Sequence, residues 1–501
     1  MRIALVNPIT RLSQGYHTIG RYIPQLGLQV LANRVPAGHK VDIIDEIFGP
    51  ECTADRVRKG HYDLVAVTGY TSGASRAYEI AAQARAEGLP TIMGGPHASA
   101  MPAEAAAHFD SVAVGECDEI WPGIIADAAA GRLQRNYAGG WPELVNGLGA
   151  ARQDLDPING KYQVSCIQTS RGCPVGCDFC GVTKFNGAPI RRRPIDEVVA
   201  EWNLTTKPFI FMVDDNFFGV SKAQADWAKQ CLRRLAERGN KRRLWFSQTT
   251  VNMGDDAEGL DLAYKAGCRG MLVGFETFNR ENLANFHKAL NRNNLDRYEQ
   301  LVKGFHRGKI AVMGCFIIGG DADDENTAAM TLVEARRLGI DITQITNLTP
   351  LPGTRLYEKW MQEGRITATN YPADWETYTF TDTVFTPAKM SARQLDESIF
   401  EIRSLAATQT WVWPRTFRSL VLNRSLTTAL FVYGMNRGWK RMARKQVLRD
   451  SARFAAIKDS DRFRRLKAAF GWKLMFGYLP PQAKMPASPD QSSPPAEQSG
   501  L

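Results

Sequence analysis

The sequence has no apolar run long enough to cross a bilayer, which takes about 18 to 20 residues. The nearest run, residues 427–435, is about half that length, so no membrane-spanning helix is predicted. The first residues, MRIALVNP, also lack the charged, apolar and small-residue zones of a secretory signal. These two absences predict a cytoplasmic chain.

The cysteines do not follow the pattern of a disulfide framework. There are nine, an odd number, scattered along 501 residues. In a reducing compartment a tight cysteine cluster binds metal more often than it forms disulfides. A chain of this length can also bury a large core without such cross-links. Metal binding is therefore the role predicted for any cysteines that lie close together.

Positive charge is concentrated near the C-terminus. The net charge is +10, yet residues 411–473 alone hold sixteen Lys or Arg and three Asp. Within them, the segment TALFVYGMNRGWKRMARK mixes apolar and cationic residues. A helix of this kind can lie in an anionic membrane interface or pack on the core with a solvated basic face, and both interpretations stay open. Nucleic acid is not an expected partner, because no RNA-binding appendage accompanies the basic segment.

Short runs rich in Val and Ile alternate with helical patterns over the first 135 residues or so. Five runs have the pattern of buried strands: residues 2–8, 40–45, 63–70, 90–95 and 111–116. This alternation predicts a doubly wound parallel sheet, in which ligands bind at the carboxyl ends of the strands. The glycines there could equally serve tight turns. The candidate ligand-binding residues at those ends are Thr71, Ser72, Gly73, Gly94, Gly95 and His97.

A second alternation of six strand and helix units follows a polar, Gly-rich linker predicted at residues 136–162. Over residues 163–357 it favours a partial (β/α)6 barrel of TIM type, although periodicity alone leaves a second open sheet possible. Residues 358–478 are basic and mainly helical, and residues 479–501 have a disordered composition. The predicted fold class is α/β, with a Rossmann-like domain at residues 1–135, then the barrel, then a helical C-terminal region.

The segment SRGCPVGCDFC places Cys173, Cys177 and Cys180 on one short loop. A structural zinc site needs four ligands, usually from two separated pairs, and no second pair has such spacing. Three thiolates can instead hold three irons of a cubane 4Fe–4S cluster and leave the fourth iron open for a substrate or cofactor. Phe179 could shield such a cluster from water. The alternative is a zinc site completed by a distant Cys or His.

These residues resemble the signature of the radical S-adenosylmethionine (SAM) superfamily, which is Cys-x3-Cys-x2-Cys with an aromatic residue before the last Cys. The resemblance continues strand by strand to about residue 357. It implies that the open iron binds the amino and carboxylate groups of SAM, and that an electron from the cluster cleaves SAM to a 5′-deoxyadenosyl radical. Candidate SAM-binding residues at strand ends are Gln248, Glu276 and Gly319, the last in a turn that could simply cap a helix.

The N-terminal phrases QLGLQVLANRV, GGPHASAMP and GECDEIW look like the cobalamin-binding-type domain that precedes the barrel in one large subfamily. Such domains often carry a cobalt-ligating His two residues after an Asp. The nearest match here is His17, with Gly15 at the Asp position, so His17 lacks the partner that would orient it. Members without the motif still bind cobalamin, and the resemblance implies that the six residues named above cradle it.

The resemblance as a whole implies an enzyme that uses a 4Fe–4S cluster, SAM and cobalamin. Its expected reaction is methylation of an unactivated carbon in a hydrophobic small molecule. The alternatives are a radical oxidation, cyclisation or rearrangement without methyl delivery, and a nonenzymatic iron–sulfur sensor. Expected partners are an external electron donor of flavodoxin or ferredoxin type and the inner face of a membrane, contacted peripherally by the basic region. No catalytic protein residue is predicted.

Overall fold

The computed structural model describes residues 1–10, 23–155, 162–406, 411–449, 451–458, 461 and 463–465. These residues form two six-stranded parallel sheets in succession, followed by a helical region. Among them, every helix is too short or too polar to span a membrane. His17 and the tail predicted at residues 479–501 lie outside the described residues.

The first sheet has the strand order β2-β1-β3-β4-β5-β6. Alternate residues of β1 enter different cores: Ala4 and Val6 pack on one face of the sheet, and Ile3 and Leu5 on the other. Helices cover both faces, which confirms the doubly wound arrangement. The strands are β1 Arg2–Asn7, β2 Lys40–Asp45, β3 Leu64–Thr68, β4 Thr91–Gly94, β5 Ser111–Val114 and β6 Asn136–Ala138. The helices are α1 Leu26–Asn33, α2 Ala54–Lys59, α3 Ala74–Ala86, α4 Pro96–Ala100, α5 Pro102–His108 and α6 Trp121–Ala129.

The sixth strand, β6, lies in the segment predicted to be a linker. It pairs with β5 through Val112, Ala113 and Val114. The sequence around it is polar and Gly-rich, and an edge strand with exposed side chains carries no apolar run, so periodicity did not reveal it. The five predicted strands are all present. The exact domain boundaries stay predictions.

The second sheet confirms six parallel strands, in the order β14-β13-β12-β11-β10-β7. Two antiparallel strands of two residues each, β8 and β9, follow its first strand and form a hairpin with a long connection. The strands are β7 Ser165–Ile167, β8 Ser170–Arg171, β9 Arg191–Arg192, β10 Phe209–Met212, β11 Leu244–Thr249, β12 Cys268–Glu276, β13 Ala311–Ile318 and β14 Ile342–Asn347. The helices are α7 Val182–Asn186, α8 Ile195–Leu204, α9 Lys222–Leu235, α10 Ala257–Lys265, α11 Arg280–Asn285, α12 Ala289–Asn294, α13 Tyr298–Arg307 and α14 Thr327–Leu338.

The C-terminal helices are α15 Arg355–Gln362, α16 Ala392–Ala406, α17 Val412–Asn423, α18 Leu426–Arg449 and α19 Ser451–Ile457. Of these helices, α18 packs on the inner face of this sheet. Phe431 of α18 packs with Phe246 and Met313, which alternate along their strands with residues of the outer core. A Cβ at Gly270 would lie 2.2 Å from the Phe431 ring, so the glycine in β12 leaves room for this side chain. The partial barrel is thus closed by its own C-terminal region.

Candidate active site

The three-cysteine loop begins where β8 turns away from the barrel. Gly172 has φ +96°, and a Cβ there would lie 2.1 Å from the carbonyl oxygen of Pro189, so the turn requires glycine. The Gly172 amide donates to Asp215 Oδ2 at 2.9 Å, and the Cys173 amide donates to the Gly187 carbonyl at 3.1 Å. The strand end and the hairpin therefore fix the start of the loop.

The far side of the loop is held by Asp178, which lies between Cys177 and Cys180. Its carboxylate accepts from Arg355 Nε at 2.6 Å and contacts His287 Nδ1 at 2.6 Å. Arg355 also donates to the carbonyl of Gly176. Arg355 begins the helix that follows the last barrel strand, so contacts from distant parts of the chain converge on the loop.

The three thiols of the loop have the chemistry that a cubane cluster requires. Burial raises the pKa of Cys177 to about 11 and that of Cys180 to about 12, so both are protonated at neutral pH unless a metal offsets the cost of burial. Across the described ranges, no group of three or more His, Cys, Asp or Glu side chains is placed to hold a metal ion. In a cubane each thiolate binds a different iron, so three thiols spread along one loop suit it.

Glu276, the last residue of β12, forms a buried ion pair with Lys288. Burial disfavours the Lys288 ammonium, but the Glu276 carboxylate and Cys177 outweigh it and keep the pKa of Lys288 above its ordinary value. The backbone of Glu276 has φ +67°, a conformation that costs about 1–3 kcal/mol for a residue with a side chain. The strand therefore ends in a strained turn that presents a charged pair beside the cysteine loop.

Of the other predicted cofactor-binding residues in the barrel, Gln248 and Phe179 line the interior cavity and Gly319 does not. Gln248 Nε2 lies 3.4 Å from the Asp214 carbonyl oxygen, and the Phe179 ring packs edge-on against Phe286, with centroids 5.3 Å apart. Gly319 lies outside the cavity wall. It has φ +117° and donates its amide to Asp323 Oδ2 at 2.9 Å, which is the turn and cap that its sequence also allowed.

In the first domain, Thr71, Ser72, Gly94 and Gly95 line the large cavity at the carboxyl ends of β3 and β4. Gly73 and His97 lie outside its wall. His97 is fully buried and contacts the Tyr78 hydroxyl at 3.0 Å and Thr71 Oγ1 at 3.4 Å. It is therefore a core histidine with satisfied ring nitrogens.

One cavity of about 2150 Å³ joins these parts of the molecule. That volume exceeds the range of about 300–1,000 Å³ for ordinary small-ligand pockets, so more than one ligand can share it. Its wall includes Cys180 and Phe179 of the loop, Glu276 and Gln248 of the barrel, and the strand ends of the first domain. Both domains contribute apolar side chains to the wall. Those from the inner face of the barrel and from α18 are Phe209, Phe211, Phe246, Leu272, Met313, Phe431, Met435 and Trp439.

A buried charge network ties the first domain to the cysteine loop. Arg171, two residues before Cys173, donates to Glu116 Oε2 at 2.8 Å and also pairs with Asp118. Arg191, on the partner strand of the hairpin, donates to the same Glu116 Oε2 at 3.0 Å. All four side chains are buried, and the two positive and two negative charges balance. The network, which we call the interdomain clamp, fixes the two domains against each other at the cavity wall.

Family models match both sheets of this fold. The B12 binding domain model matches residues 16–125, and the Radical SAM superfamily model matches residues 167–363. The chain therefore carries a B12-binding domain followed by a radical SAM domain. This radical SAM protein carries its B12-binding domain in front of the barrel, and the cofactors of such a protein are a 4Fe–4S cluster, SAM and cobalamin.

Similar proteins extend this picture. Bacteriochlorophyllide d C-12(1)-methyltransferase of Chlorobaculum tepidum is 29% identical over 413 residues, which is 77% of this chain and 87% of that protein. The methyltransferase TsrM from Kitasatospora setae, solved with cobalamin and a [4Fe-4S] cluster, has a TM-score of 0.60 at 19% identity over 72% of this chain and 78% of that one. OxsB, solved with aqua-cobalamin, has a TM-score of 0.63 at 13% identity over 94% and 83%. At these identities the two structural likenesses concern the fold.

Sequence reasoning about this radical SAM protein missed three groups at the site. Lys288 follows its partner Glu276 by twelve residues, a spacing with no recognisable pattern. Arg355 reaches the loop from beyond the last strand, and the interdomain clamp joins residues that are 55 and 75 positions apart. Each pairing depends on strands that meet only in the folded barrel. Glu116 and Asp118, two and four residues after the end of β5, were the signal available for the clamp.

Proposed function

We propose that this protein methylates an unactivated carbon of an apolar small molecule. The observation that carries the proposal is the large cavity, because the cysteine loop, the B12-binding domain and an aromatic barrel wall all line it. A radical enzyme that transfers a methyl group needs both cofactor sites to reach the same substrate atom. The likeness to a bacteriochlorophyllide methyltransferase supports a methyl transfer.

The geometry supports an assignment of residues to each cofactor, which we propose as follows. Cys173, Cys177 and Cys180 would bind the cluster. Glu276 would offer its carboxylate to the ammonium of SAM, with Lys288 behind it as its buried ion-pair partner, and Gln248 would add an amide from the same cavity wall. The side chains and glycines at the ends of β3 and β4 would cradle the corrin: Thr71, Ser72, Gly94 and Gly95. When bound, the cofactors supply the radical that removes a substrate hydrogen and the methyl group that replaces it.

The substrate would be recognised mainly by the apolar wall. The rings of Phe211 and Phe246 stack with centroids 4.5 Å apart, and Phe246 lies 6.0 Å from Phe431. A surface of this kind binds a flat or extended hydrocarbon body and excludes water from the reacting carbon. Water exclusion matters because a carbon radical must meet only its intended partner.

The test uses the full chain, purified and reconstituted with iron, sulfide and hydroxocobalamin without oxygen. With a strong reductant and SAM, we expect 5′-deoxyadenosine, retention of one corrin per chain through gel filtration, and S-adenosylhomocysteine that depends on the corrin. The Cys177→Ala variant should lose both SAM products. The matched Cys231→Ala variant, at a cysteine buried in the outer core, should keep them.

Two outcomes would contradict the proposal. Deoxyadenosine without corrin retention would indicate a radical reaction of another type. Undiminished deoxyadenosine in the Cys177→Ala variant would contradict the cluster assignment itself.

We also propose that the electron comes from an external donor of flavodoxin or ferredoxin type, because reductive cleavage of SAM consumes one electron. The protein would act in the cytoplasm and peripherally at the inner face of the membrane. The basic C-terminal helix supports this location.

A further inference from the structure

Large apolar side chains are exposed along one edge of α17 and the start of α18. On α17 they recur at the spacing i, i+4, i+7, i+8, so they share one face of the helix. Their exposed fractions run from 36 to 65%, where a core residue would be near zero. Contiguous exposed apolar patches of this kind mark interaction sites. The residues of this apolar edge are Trp413, Phe417, Leu420, Val421, Leu426 and Leu430.

The next turns of α18 continue the same face with cations. Arg437, Arg441, Arg444 and Lys445 are exposed and form no ion pair with any described residue. α18 contains no acidic residue in its 24 positions. Their charge is therefore unbalanced by the helix and is available to an anionic partner outside the molecule.

The apolar edge and the cationic turns border the mouth of the large cavity. Trp413, Leu430, Arg437 and Arg441 belong both to the exposed surface and to the cavity wall. The ring centroids of Trp413 and Tyr433 lie 5.0 Å apart, which packs the two helices together at this rim. A partner that covers this surface would thus lie directly over the entrance to the apolar interior.

We propose that this surface docks on an anionic lipid bilayer, with the cavity mouth turned to the lipid, so that the apolar substrate enters from the membrane. Exposed aromatic and Leu side chains beside unpaired Arg and Lys are complementary to acyl chains beside anionic headgroups. A second copy of the chain fits less well, because an isologous contact would bring the unpaired cations together. Docking itself does not depend on the reaction; only entry of the substrate rests on the proposed function.

The test is co-sedimentation of the full chain with vesicles of phosphatidylcholine containing 30% phosphatidylglycerol, against vesicles of phosphatidylcholine alone. We expect binding to the anionic vesicles that weakens at 0.5 M salt. Arg441→Gln/Arg444→Gln should weaken it about five-fold for each charge removed. Trp413→Ser/Leu430→Ser should weaken binding to a degree that salt does not change, since its contribution is apolar.

Matched controls are Lys40→Gln/Arg238→Gln, at exposed cations elsewhere, and Val145→Ser/Leu204→Ser, at equally exposed apolar residues. Both should bind as the wild type does. Thermal melting of each variant separates a lost contact from a lost fold. Equal binding to neutral vesicles, an equal loss in the controls, or a change of oligomeric state in the surface variants would overturn the proposal. None of these outcomes involves SAM products, so they are independent of the test of the reaction.

Discussion

Replacing Glu116 with Gln should loosen the B12-binding domain from the cysteine loop. In the wild type, Glu116 Oε2 accepts from Arg171 at 2.8 Å and from Arg191 at 3.0 Å, and Oε1 accepts from Arg191 as well. Gln would remove the negative charge and turn one acceptor into an amide donor that faces a guanidinium. Among the described residues, Arg171 would then keep Asp118 as its acidic partner, and Arg191 would have none.

The size of the effect follows from burial. Glu116 and Arg191 side chains are only 2 and 3% exposed, so solvent cannot replace the lost partner. Breaking a buried ion pair on one side costs about 3–5 kcal/mol. We expect the lower end, about 3 kcal/mol, because Arg171 keeps Asp118 and Arg191 keeps the carbonyl oxygens of Pro142 and Asn186. That corresponds to a population of the opened interface roughly 100-fold larger.

Native-state hydrogen exchange of peptides covering residues 111–118 and 168–173 measures this opening. Glu116→Gln should speed exchange there roughly 100-fold, and Glu116→Gln/Arg191→Gln should recover part of the loss because it removes the uncompensated guanidinium. Glu299→Gln breaks an exposed pair with Lys303 and Arg337 and should leave both peptides unchanged. An increase below about threefold, or the same increase in the Glu299 variant, would refute the role of the clamp.

Three further predictions concern the loop, the barrel and pH. Gly172→Ala should abolish iron binding on reconstitution, because the added Cβ would lie 2.1 Å from a backbone oxygen. The control Gly181→Ala, which has open space at its Cβ, should retain iron binding. Full iron content in the Gly172 variant would contradict the loop geometry. Phe431→Ala should cost about 3 kcal/mol in urea unfolding, against no resolvable change for the half-exposed Phe417→Ala, and equal midpoints would contradict the barrel closure. Burial raises the pKa of Asp323 to about 6, above its value in the unfolded chain. The protonated carboxyl group therefore stabilises the fold fully below about pH 4. That contribution is lost as the pH rises through about 6. The Asp323→Asn variant should lack this fall in unfolding free energy, and parallel curves for the two proteins would contradict it.

The strands could be predicted because a buried strand has a short, continuous run of apolar residues. β1 and β3 are uninterrupted apolar runs, since both faces of a doubly wound sheet are covered. The edge strand β6 has no such run and was missed. The cysteine loop was equally visible, because all three ligands come from one short segment.

Only some of the ligand-binding residues predicted from their position near a strand end line the cavity. Thr71, Ser72, Gly94 and Gly95 reach the cavity, while His97 turns into the core and pairs with Tyr78. Except for Gly94, these residues lie in the turns and helices that follow the strands, where no simple period in the sequence says which side chains face the ligand. Gly319 and its cap by Asp323 show the same ambiguity between a binding loop and a turn.

The sequence by itself determined the two sheets, the three-cysteine loop and the position of the positive charge, because each is written in residues that are neighbours along the chain. Only the tertiary structure decided that Lys288 neutralises Glu276, that the interdomain clamp joins the domains, and that α18 closes the barrel with its cations at the cavity mouth. These contacts join residues that meet because parallel strands bring their carboxyl ends to one edge. Side chains far apart along the chain then meet in one low-dielectric space. Local sequence patterns cannot predict these pairings.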